Sequence, residues 1–500
     1  MTAELGTSTP GGYLLVLTIL LPAAGMILSF TLGGRNAERV ALCSTPFGFA
    51  LACAIAFHVG RAGKPVVYAI GGLSPPLGIA LRADGISAVM LVAAAVIVTA
   101  AAFYARAKFT TPDGVRESRS ALTFWMMLQA IWAALNIIFV GADLFNLYVA
   151  LELLTFAAVP LVCIDGRPET IAAALRYLLF ALFGSISYLL GVALFYGAHG
   201  TLDISLLAQR VQATPVVWTA AALMTCGLLA KTALFPMHLW LPPAHANAPA
   251  AASAVLSGLV VKGSFFLTLR LWFYVLPALP ADKIAIVLGC LGSAAIIAGS
   301  VVALRQARLK LLIAYSTVAQ IGYLFLVFPL AAGTQAWSAI GWSAGLMQIL
   351  AHAFAKAGMF LSAGLLAQAL GHDQIAKLHG AARVLPLTFL TIALSGLSLM
   401  GLPPSGGFVA KWLMLQASIA SGQWFWTLPI LAGSLLAAGY VYRILAPALS
   451  DSHVSLESSP KRSLELSALA LTMVAIALGF APQSLFDFIE IGRPIPAAMP

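Results

Sequence analysis

The sequence predicts an all-α polytopic membrane protein with about fourteen transmembrane helices. Of its 500 residues, 61% are hydrophobic and 9% are charged, and the mean hydropathy is +0.97. One soluble core cannot enclose so much apolar surface, so the chain must use lipid as its solvent. Apolar runs of about 20 residues, the length that crosses a bilayer as a helix, recur along the whole chain.

These runs define the predicted helices in chain order. Three spans lie within residues 1–120, five within 121–280, five within 281–450, and a last span with its tail within 451–500. The spans are predicted at residues 12–32, 40–59, 84–105, 121–140, 142–164, 171–198, 217–242, 247–277, 284–303, 309–330, 336–369, 385–415, 423–447 and 465–482.

Each five-span block contains a helix that is interrupted late in the block, at Pro236 in the first and at Pro403, Pro404 and Gly406 in the second. Proline removes a backbone donor and clashes with the preceding turn, whereas glycine tolerates unwound backbone. Unwound backbone at membrane depth is stable only when it is buried in protein or lines a cavity. Because five spans per block make the second block enter the membrane from the other side, we predict two inverted repeats, which are typical of transporters.

The basic residues are distributed unequally between the two sides of the predicted bundle. With the N-terminus outside, loops on the cytoplasmic side contain most of them, including Arg106, Lys108, Arg305, Arg308 and Lys310. This bias follows the positive-inside rule and predicts a cell inner membrane protein with both termini on the non-cytoplasmic side. It also accounts for the net charge of +10 without a nucleic-acid partner, since no basic run is interleaved with aromatic residues.

Motifs for cofactor or metal chemistry are missing from the sequence. The five cysteines lie singly in apolar segments without a C-x-x-C pair, which is typical of small hydrophobic side chains. The chain has no G-x-G-x-x-G, P-loop or H-E-x-x-H motif, and its first segment lacks the basic start of a signal peptide. We therefore expect no metal, no cofactor and no redox centre on this chain.

Charged residues inside the apolar spans are the main functional signal. They include four lysines and one glutamate: Lys231, Lys262, Lys356, Lys411 and Glu152. A charge near the middle of hydrocarbon costs from about 3 to more than 10 kcal/mol, so such residues are kept where they face water or protein. The pattern indicates a path for ions.

Glu152 and Lys231 are predicted to form a pair. The nearest other charge before Glu152 is Asp143, near the start of the same span, so Lys231 is the available cation for this buried carboxylate. Lys231 precedes Pro236 by five residues, close to the backbone groups that a proline frees. The alternatives are a purely structural ion pair and a lysine that reaches the membrane interface.

Histidines add titratable groups to this set. His352 and Lys356 are spaced i, i+4 and therefore share one helix face. His245 is a candidate relay partner of Lys262 near neutral pH, and a structural role is equally open for it. His238 is a weaker candidate, for which the structural role is favoured. Polar residues of the tenth span could hold water or pack helices: Tyr315, Ser316 and Gln320.

Four segments resemble the antiporter-like subunits shared by respiratory complex I, membrane-bound hydrogenases and Mrp cation/proton antiporters. They are AKTALFPMHLWLPPAHANAPAAASAVLSGLVVKGSFF (230–266), RLKLLIAYSTVAQIGYLF (308–325), QILAHAFAKAGMFLSAG (348–364) and GLPPSGGFVAKW (401–412). The chain looks most like the Mrp D and complex I N subunits, because its length suits fourteen helices without a lateral helix. A lysine at 411, where M-type subunits usually have glutamate, agrees with this assignment.

The resemblance implies a proton channel without a redox centre. By this resemblance, Glu152 corresponds to the family's fifth-helix glutamate and Lys231 to its seventh-helix lysine. Lys262 corresponds to the bridging lysine of the eighth helix, and His352 and Lys356 correspond to the histidine and lysine of the eleventh helix. Lys411 corresponds to the family's terminal lysine.

The expected function is proton translocation, with cation/proton antiport as a variant, by a membrane subunit of a multi-subunit complex. Expected partners are other membrane subunits of an Mrp-like or complex I-like assembly, the lipid bilayer, protons, and sodium or potassium. The alternative is an autonomous solute transporter with a site between the repeats; against it, the polar residues spread as a line and do not cluster around one pocket. A passive scaffold would leave the buried lysines unexplained. The sequence leaves open whether electron transfer in a host oxidoreductase or hydrogenase drives transport.

Overall fold

A computed structural model of the chain describes residues 8–277, 279, 282–452 and 455–494. Within these residues, thirteen helices are long and apolar enough to cross a membrane. Two shorter helices, Pro386–Met400 and Gly406–Ala420, together supply the length of one further crossing. The predicted all-α polytopic fold is therefore confirmed, whereas the inverted relation of the two blocks stays a prediction. The predicted location of the two termini concerns residues 1–7 and 495–500, which lie outside the described part.

The helices in chain order are α1 (Tyr13–Leu32), α2 (Gly34–Ala62), α3 (Gly85–Phe109), α4 (Arg119–Val140), α5 (Leu144–Val162), α6 (Pro168–His199), α7 (Ile204–Arg210), α8 (Pro215–Thr232), α9 (Leu241–Asn247), α10 (Ala250–Val275), α11 (Asp282–Leu304), α12 (Leu309–Ala331), α13 (Ala336–Leu370), α14 (Ala381–Val384), α15 (Pro386–Met400), α16 (Gly406–Ala420), α17 (Thr427–Ala448), α18 (Arg462–Ala477) and α19 (Gln483–Ile489). Short 3-10 turns lie at Ile70–Gly72, Ile375–Lys377, Trp424–Trp426 and Leu478–Phe480.

A β-hairpin connects α2 to α3 at one end of the bundle. Its strands, β1 (Val66–Ala69) and β2 (Ala80–Ala83), pair antiparallel. Asp84 then caps α3 by accepting a hydrogen bond from the Ser87 backbone N–H at 3.0 Å, and Arg270 Nη2 of α10 donates to the same carboxylate at 2.8 Å. Burial works to raise the pKa of Asp84, but the Arg270 guanidinium outweighs it and holds that pKa below its ordinary value. This buried pair joins the N-terminal helices to α10.

The other end of the bundle carries clustered basic residues and is called the basic end below. Lys108, Arg167, Arg308 and Lys310 come from three different connections or helix ends, yet they line one cavity of about 510 Å³. Two carboxylates lie among them, because Asp165 pairs with Lys108 at 3.3 Å and Asp373 pairs with Arg308 at 3.0 Å. With the connection that carries Asp373, four loop regions therefore meet on one side, as the alternation of the predicted spans requires.

The first helix break separates α8 from α9. Ala233 has φ +57°, in the left-handed region that few residues other than glycine adopt, and α8 ends before it at Thr232. Pro236 lies in the turns that follow, and α9 begins at Leu241. The predicted span 217–242 is therefore helical only to residue 232. Trp240 Nε1 donates to the Ala230 carbonyl at 2.9 Å, which satisfies one carbonyl group near the helix end.

The second helix break separates α15 from α16. Gly401 has φ +80° and follows the last residue of α15. Pro403 and Pro404 lie between the two helices, and Ser405 caps α16 by accepting from the Phe408 N–H at 3.1 Å. Gly406 is the first residue of α16. The predicted span 385–415 is thus two helices with capped ends, as the proline and glycine pattern indicates.

Three helices form the centre of the bundle. They are α10, α12 and α13, and in their most apolar stretches 94%, 89% and 94% of the residues are buried. In the corresponding stretches of α1 and α2, 33% of the residues are buried. Helix α10 widens into π-helical turns at Leu256–Val260 and Arg270–Val275. Wide turns of this kind often occur at functional sites, and here they bracket Lys262.

Candidate functional site

All four predicted lysines are buried in the bundle. Lys231 is 7% exposed, Lys262 and Lys356 are fully buried, and Lys411 is 4% exposed. Each ammonium group donates to protein oxygen atoms, as buried charges must. The four lysines are held by α8, α10, α13 and α16, so the set extends from the first break through the centre to the second break.

Glu152 and Lys231 form the predicted ion pair between α5 and α8. Lys231 Nζ lies 3.5 Å from Glu152 Oε1, and it makes a shorter bond of 2.9 Å to Thr155 Oγ1. It also donates to the Leu151 carbonyl at 3.3 Å. Glu152 retains 15% of its side-chain exposure. The ammonium therefore has both a charged acceptor near the bundle surface and a neutral acceptor deeper inside.

Two glycines allow α6 and α8 to approach beside this pair. A Cβ atom at Gly184 would lie 2.7 Å from the Gly227 carbonyl oxygen and 3.0 Å from Lys231 Cγ. A Cβ at Gly227 would lie 2.2 Å from the Gly184 carbonyl oxygen. The glycine pair therefore fixes how closely Lys231 packs against α6, in the manner of small residues at helix contacts in membranes.

A small cavity links the Lys231 site to α10. It measures about 10 Å³ and is lined by Thr155, Tyr177, Lys231 and Ser264 among others, close to the smallest volume that holds one water. Ser264 Oγ accepts from Thr232 Oγ1 at 3.0 Å. The hydroxyl groups of Thr155, Tyr177 and Ser264 therefore line part of the space between α8 and α10, the helix that carries Lys262.

Lys262 donates to the Ser257 carbonyl, inside the first π-helical turn of α10. The Ser257 hydroxyl pairs with Thr317 Oγ1 of α12 at 3.0 Å. Lys262 and Lys356 lie within electrostatic range of each other. No carboxylate of the described residues forms an ion pair with Lys262.

His245 lies in α9, just after the first break, and is fully buried. Its Nδ1 is 3.0 Å from the Leu241 carbonyl, and within the described residues its Nε2 has no partner. The charges of Lys262 and Lys356 act on its ring. The structure thus brings His245 near the lysine for which it was a candidate partner. His238, in contrast, packs against Phe235 and Tyr315 at ring distances of 5.4 and 6.5 Å.

His352 and Lys356 lie on one face of α13, as their spacing predicts. Lys356 Nζ donates to the Ile313 carbonyl at 2.9 Å and to Ser316 Oγ, both in α12. His352 is 1% exposed, and neither ring nitrogen has a partner in the described part of the chain. Lys262, Lys356 and Lys411 all lie within electrostatic range of His352. The histidine is therefore placed between the central lysines and Lys411 at the second break.

A hydrogen-bonded amide group extends this series toward the second break. Gln348 Nε2 donates to Gln320 Oε1 at 3.0 Å, and Gln320 Nε2 donates to the Leu399 carbonyl at 3.1 Å. Gln320 Nε2 also lies 3.4 Å from the Tyr440 hydroxyl. The Leu399 carbonyl is shared, because it also accepts from Lys411 Nζ at 2.8 Å.

Lys411 extends from α16 back to the end of α15. Besides Leu399, its ammonium donates to the Met400 carbonyl at 3.2 Å and to Ser434 Oγ at 3.1 Å, so its three donors are all used. It lies 4.3 Å from the centre of the Tyr323 ring. Lys231 belongs to the half-helix before its break, and its ammonium is bound to α5. Lys411 belongs to the half-helix after its break, and its ammonium is bound to the carbonyl end of the half-helix before it. Carbonyl groups at such an end carry partial negative charge.

Several of these partners are not predicted from the sequence. Thr155, Ser434 and Tyr323 contact the lysines directly but are ordinary residues of membrane helices. Thr155 follows Glu152 by three residues and shares its helix face, which is the signal that could reveal it. Gln348 precedes His352 by four residues, so an i, i+4, i+8 pattern of Gln348, His352 and Lys356 is visible in the sequence.

The described residues contain no group of three histidine, cysteine, aspartate or glutamate side chains placed to hold a metal ion. The five cysteines are separate thiols. The chemistry that this arrangement offers is proton exchange among amines, imidazoles, hydroxyls and one carboxylate.

Comparison with known proteins identifies the family. Residues 141–437 match the family described as NADH:quinone oxidoreductase/Mrp antiporter, TM. The N subunit of the NADH-quinone oxidoreductase of Desulforudis audaxviator is 34% identical over 417 residues, covering 80% of this chain and 81% of that protein. The D subunit of the Na⁺/H⁺ antiporter of Alkalihalophilus pseudofirmus is 27% identical over 483 residues and 95% of both chains.

A solved structure agrees with these relatives. A chain of the membrane-bound sulfane sulfur reductase, an archaeal respiratory membrane complex, superposes with a TM-score of 0.86 at 26% identity. The superposition covers 95% of this chain and 96% of that chain. From the family match and the 34% identical relative, this chain belongs to the NADH:quinone oxidoreductase/Mrp antiporter transmembrane family.

Proposed function

We propose that this chain is a proton-translocating membrane subunit of a multi-subunit complex, either an Mrp-like cation/proton antiporter or a complex I-like oxidoreductase. The observation that supports this most directly is the series of buried titratable side chains from Glu152 through Lys231, Lys262 and Lys356 to Lys411. Relatives named as the D subunit of an antiporter and the N subunit of an oxidoreductase support the same class. Partners are then the neighbouring membrane subunits, and the transported ions are protons with sodium or potassium as counter-ions.

The orientation proposed for the chain follows the positive-inside rule. The basic end faces the cytoplasm across a cell inner membrane, and both termini lie on the other side. Residues 121–280 and 281–450 form the two inverted repeats, flanked by 1–120 and 451–500. The 510 Å³ cavity at the basic end is then the cytoplasmic opening, and Asn247 in its lining lies two residues beyond His245.

The first step is a change in the Glu152–Lys231 pair. Exposed apolar side chains flank Glu152 on α5, including Leu153 at 48% and Phe156 at 59%, so a neighbouring subunit can act on the carboxylate. At an effective dielectric constant of about 20, moving two unit charges from about 3.5 Å to about 6.5 Å apart costs about 2 kcal/mol. That energy corresponds to roughly a thirtyfold change in a proton equilibrium, enough to drive a transfer from Lys231.

The second step carries the proton along the series. From Lys231 it passes through the hydroxyls of Thr155 and Ser264, with one water in the cavity between them, to Lys262. His352 and Lys356 receive it next, because both lie within electrostatic range of Lys262. Lys411 releases it at the second break.

An autonomous solute transporter gains no support from the cavities beside the two breaks. The one at Lys231 measures about 10 Å³, too small for a solute. The one at Lys411 measures about 390 Å³, but it opens through exposed apolar residues such as Trp412 and Leu435. The space at the breaks suits protons and water.

The test is the Lys231→Ala variant in the host complex, reconstituted into sealed vesicles with a pH-sensitive dye. We expect proton translocation to be nearly abolished at normal assembly, because the variant removes the titrating group and leaves a side chain that hydrocarbon tolerates. Lys283→Ala is the matched control, since Lys283 is exposed in the first turn of α11, outside the series. Normal translocation by Lys231→Ala would overturn the proposed function.

A further inference from the structure

A buried carboxylate outside the lysine series lies in α18. Glu465 is 9% exposed, in the first turn of the helix. Thr388 Oγ1 of α15 donates to Glu465 Oε1 at 2.6 Å. Within the described residues Glu465 forms no ion pair. The helix dipole stabilises an acid at this position, but the charge of the carboxylate has no cationic partner among the described residues.

Four hydroxyl side chains, of which Thr388 is the first, lie along one face of α15. Thr388, Thr391, Ser395 and Ser398 are spaced by three, four and three residues, and each is at most 2% exposed. The Ser395 hydroxyl pairs with Thr472 Oγ1 of α18 at 2.8 Å. From Thr388 to Ser398 the helix rises about 15 Å, which is about half of the 30 Å hydrocarbon thickness. The row of hydroxyls thus extends from one membrane surface to mid-depth.

The inner end of this row reaches the second break. Ser398 Oγ is buried and, within the described residues, has no hydrogen-bond partner. A Cβ atom at Gly407 would lie 3.0 Å from that oxygen, so α16 crosses directly against it. Lys411 follows Gly407 by one helical turn, and its ammonium is bound to the carbonyl of Leu399, the residue after Ser398. The unpartnered hydroxyl is therefore next to the Lys411 site.

The outer end of the row lies next to two cavities at the basic end. Leu464, the residue before Glu465, lines both the 510 Å³ cavity and a second cavity of about 330 Å³. Arg106, Thr110 and Lys461 line the second cavity. Water in these spaces is close to the first turn of α18.

Serine and threonine also pack helices in membranes by bonding to backbone carbonyls. Thr391 does this with the Leu387 carbonyl at 2.9 Å. That role accounts for single hydroxyls, but it does not account for a buried carboxylate at one end of the row and an unpartnered hydroxyl at the other.

We infer that Glu465 and the hydroxyls of Thr388, Thr391, Ser395 and Ser398 form a second proton inlet, which leads from the cytoplasmic face to Lys411. The inlet, which rests on the proposed function above, is separate from the route through Lys231. Glu465 takes a proton from water and passes it to a neighbouring hydroxyl, and each hydroxyl gives up one proton as it accepts another. Waters complete the gaps between successive turns, whose side chains stand about 5–6 Å apart. No bond other than O–H and N–H changes.

The test compares proton flux in vesicles for the host complex carrying Glu465→Gln and Glu465→Asp. With Lys231 in place, we expect Glu465→Gln to lower the total flux only by the small share that enters through the inlet. The flux through the inlet itself should fall about tenfold, less than the 10²–10⁴-fold typical of a positioned proton-transfer group, because water partly replaces the carboxylate. Glu465→Asp should retain most of the flux. Glu117→Gln is the matched control, since Glu117 is exposed in the connection between α3 and α4.

A second measurement separates this inlet from the main route. In complexes that carry Lys231→Ala, an imposed pH gradient should still drive a small passive proton uptake through the inlet, and adding Glu465→Gln should lower that uptake about tenfold. Thr388→Val and Ser398→Ala, which change little in volume, should each lower the flux at normal assembly. If Glu465→Gln fails to assemble, the flux of these two hydroxyl variants tests the inlet instead.

Two outcomes would overturn the inlet. One is wild-type flux in Glu465→Gln, or in both hydroxyl variants, at normal assembly. The other is an equal loss of total flux in Glu465→Gln and Glu465→Asp that comes from poor assembly alone, with the flux per assembled complex unchanged. That result would make Glu465 a structural residue. Because Lys231→Ala alone tests the proposed function, either result would leave that function standing.

Discussion

The two helix breaks hold their lysines in different ways. At the first break, Lys231 has a carboxylate 3.5 Å away that is partly exposed at the bundle surface. At the second break, Lys411 is bound by two carbonyl groups and a hydroxyl, with the Tyr323 ring at 4.3 Å. A charged partner can be displaced by an outside charge, whereas backbone carbonyls of a packed helix end cannot. Under the function proposed above, the first break would receive the driving signal and the second would provide a fixed proton site.

The largest effect is expected at Lys411. Lys411→Leu removes the proton site and leaves the Leu399 and Met400 carbonyls without their donor, so we expect translocation to fall about 100-fold. Lys411→Glu should be less damaging, because a buried carboxylate among lysines can exchange protons. Proton uptake and cation exchange in everted vesicles at matched expression measure both variants, and Ile419→Leu, an exposed change on α16, is the control. Wild-type transport by Lys411→Leu would place the exit elsewhere.

A smaller effect is expected when the charged partner at the first break is changed. Glu152→Gln should lower translocation about tenfold, because the Coulomb attraction between the carboxylate and the Lys231 ammonium, whose change drives the proposed transfer, is lost. Glu152→Asp should keep part of the activity, since it keeps the charge. Glu169→Gln, an exposed substitution on α6, serves as the control in dye-loaded vesicles. Equal activity of the two Glu152 variants would indicate a purely structural glutamate.

The neutral partner at the first break is expected to matter less. Thr155→Val keeps the shape but removes the 2.9 Å bond to Lys231, and a hydrogen bond to a charged group contributes about 1.5–3 kcal/mol. We expect translocation to fall roughly threefold to tenfold, less than loss of that whole energy would give, because the Leu151 carbonyl and Glu152 still bind the ammonium. Thr219→Val is the control, because that exposed hydroxyl bonds only to the carbonyl of Pro215 in its own helix. An unchanged rate in Thr155→Val would exclude Thr155 from the transfer.

The smallest effect on transport, but a clear one on stability, is expected at Gly184. The added Cβ of Gly184→Ala would lie 2.7 Å from the Gly227 carbonyl, and such overpacking costs about 1–3 kcal/mol. Gly197→Ala on the same helix meets nothing within 4 Å and should be neutral. Thermal denaturation of the purified complex measures the two variants. Equal midpoints would show that α6 and α8 separate without cost.

The general layout of the site is accessible from the sequence for a physical reason. Charges are so costly in hydrocarbon that Lys231, Lys262, Lys356 and Lys411 stand out from their surroundings, and Glu152 is the acid available to Lys231. The breaks at Pro236 and Pro404 are visible because proline and glycine act locally on the backbone. The predicted all-α fold is confirmed for the same reason, since span length depends only on local apolar runs.

Other features of the site and the fold depend on how the helices pack against one another, which no local sequence pattern predicts. Arg270 is visible as a charge within a span, but its partner Asp84 lies 186 residues away and is found only in the folded chain. Ser434 and Tyr323 contact Lys411 from two other helices. The end of α8 at Thr232 also differs from the predicted span, because the left-handed Ala233 ends the helix before the proline is reached.

Helix α10 offers Lys262 a freedom that the other lysines lack. A π-helical turn holds one residue more than an α-helical turn of the same height, and such turns lie on both sides of the Val261–Leu269 segment. If one turn tightened while the other took up the surplus residue, the segment between them would rotate by about 100°. The ends of α10, one of them anchored by the Arg270–Asp84 pair, would keep their places. The Lys262 side chain would then rotate from one neighbouring helix toward another, and the length of α10 would not change.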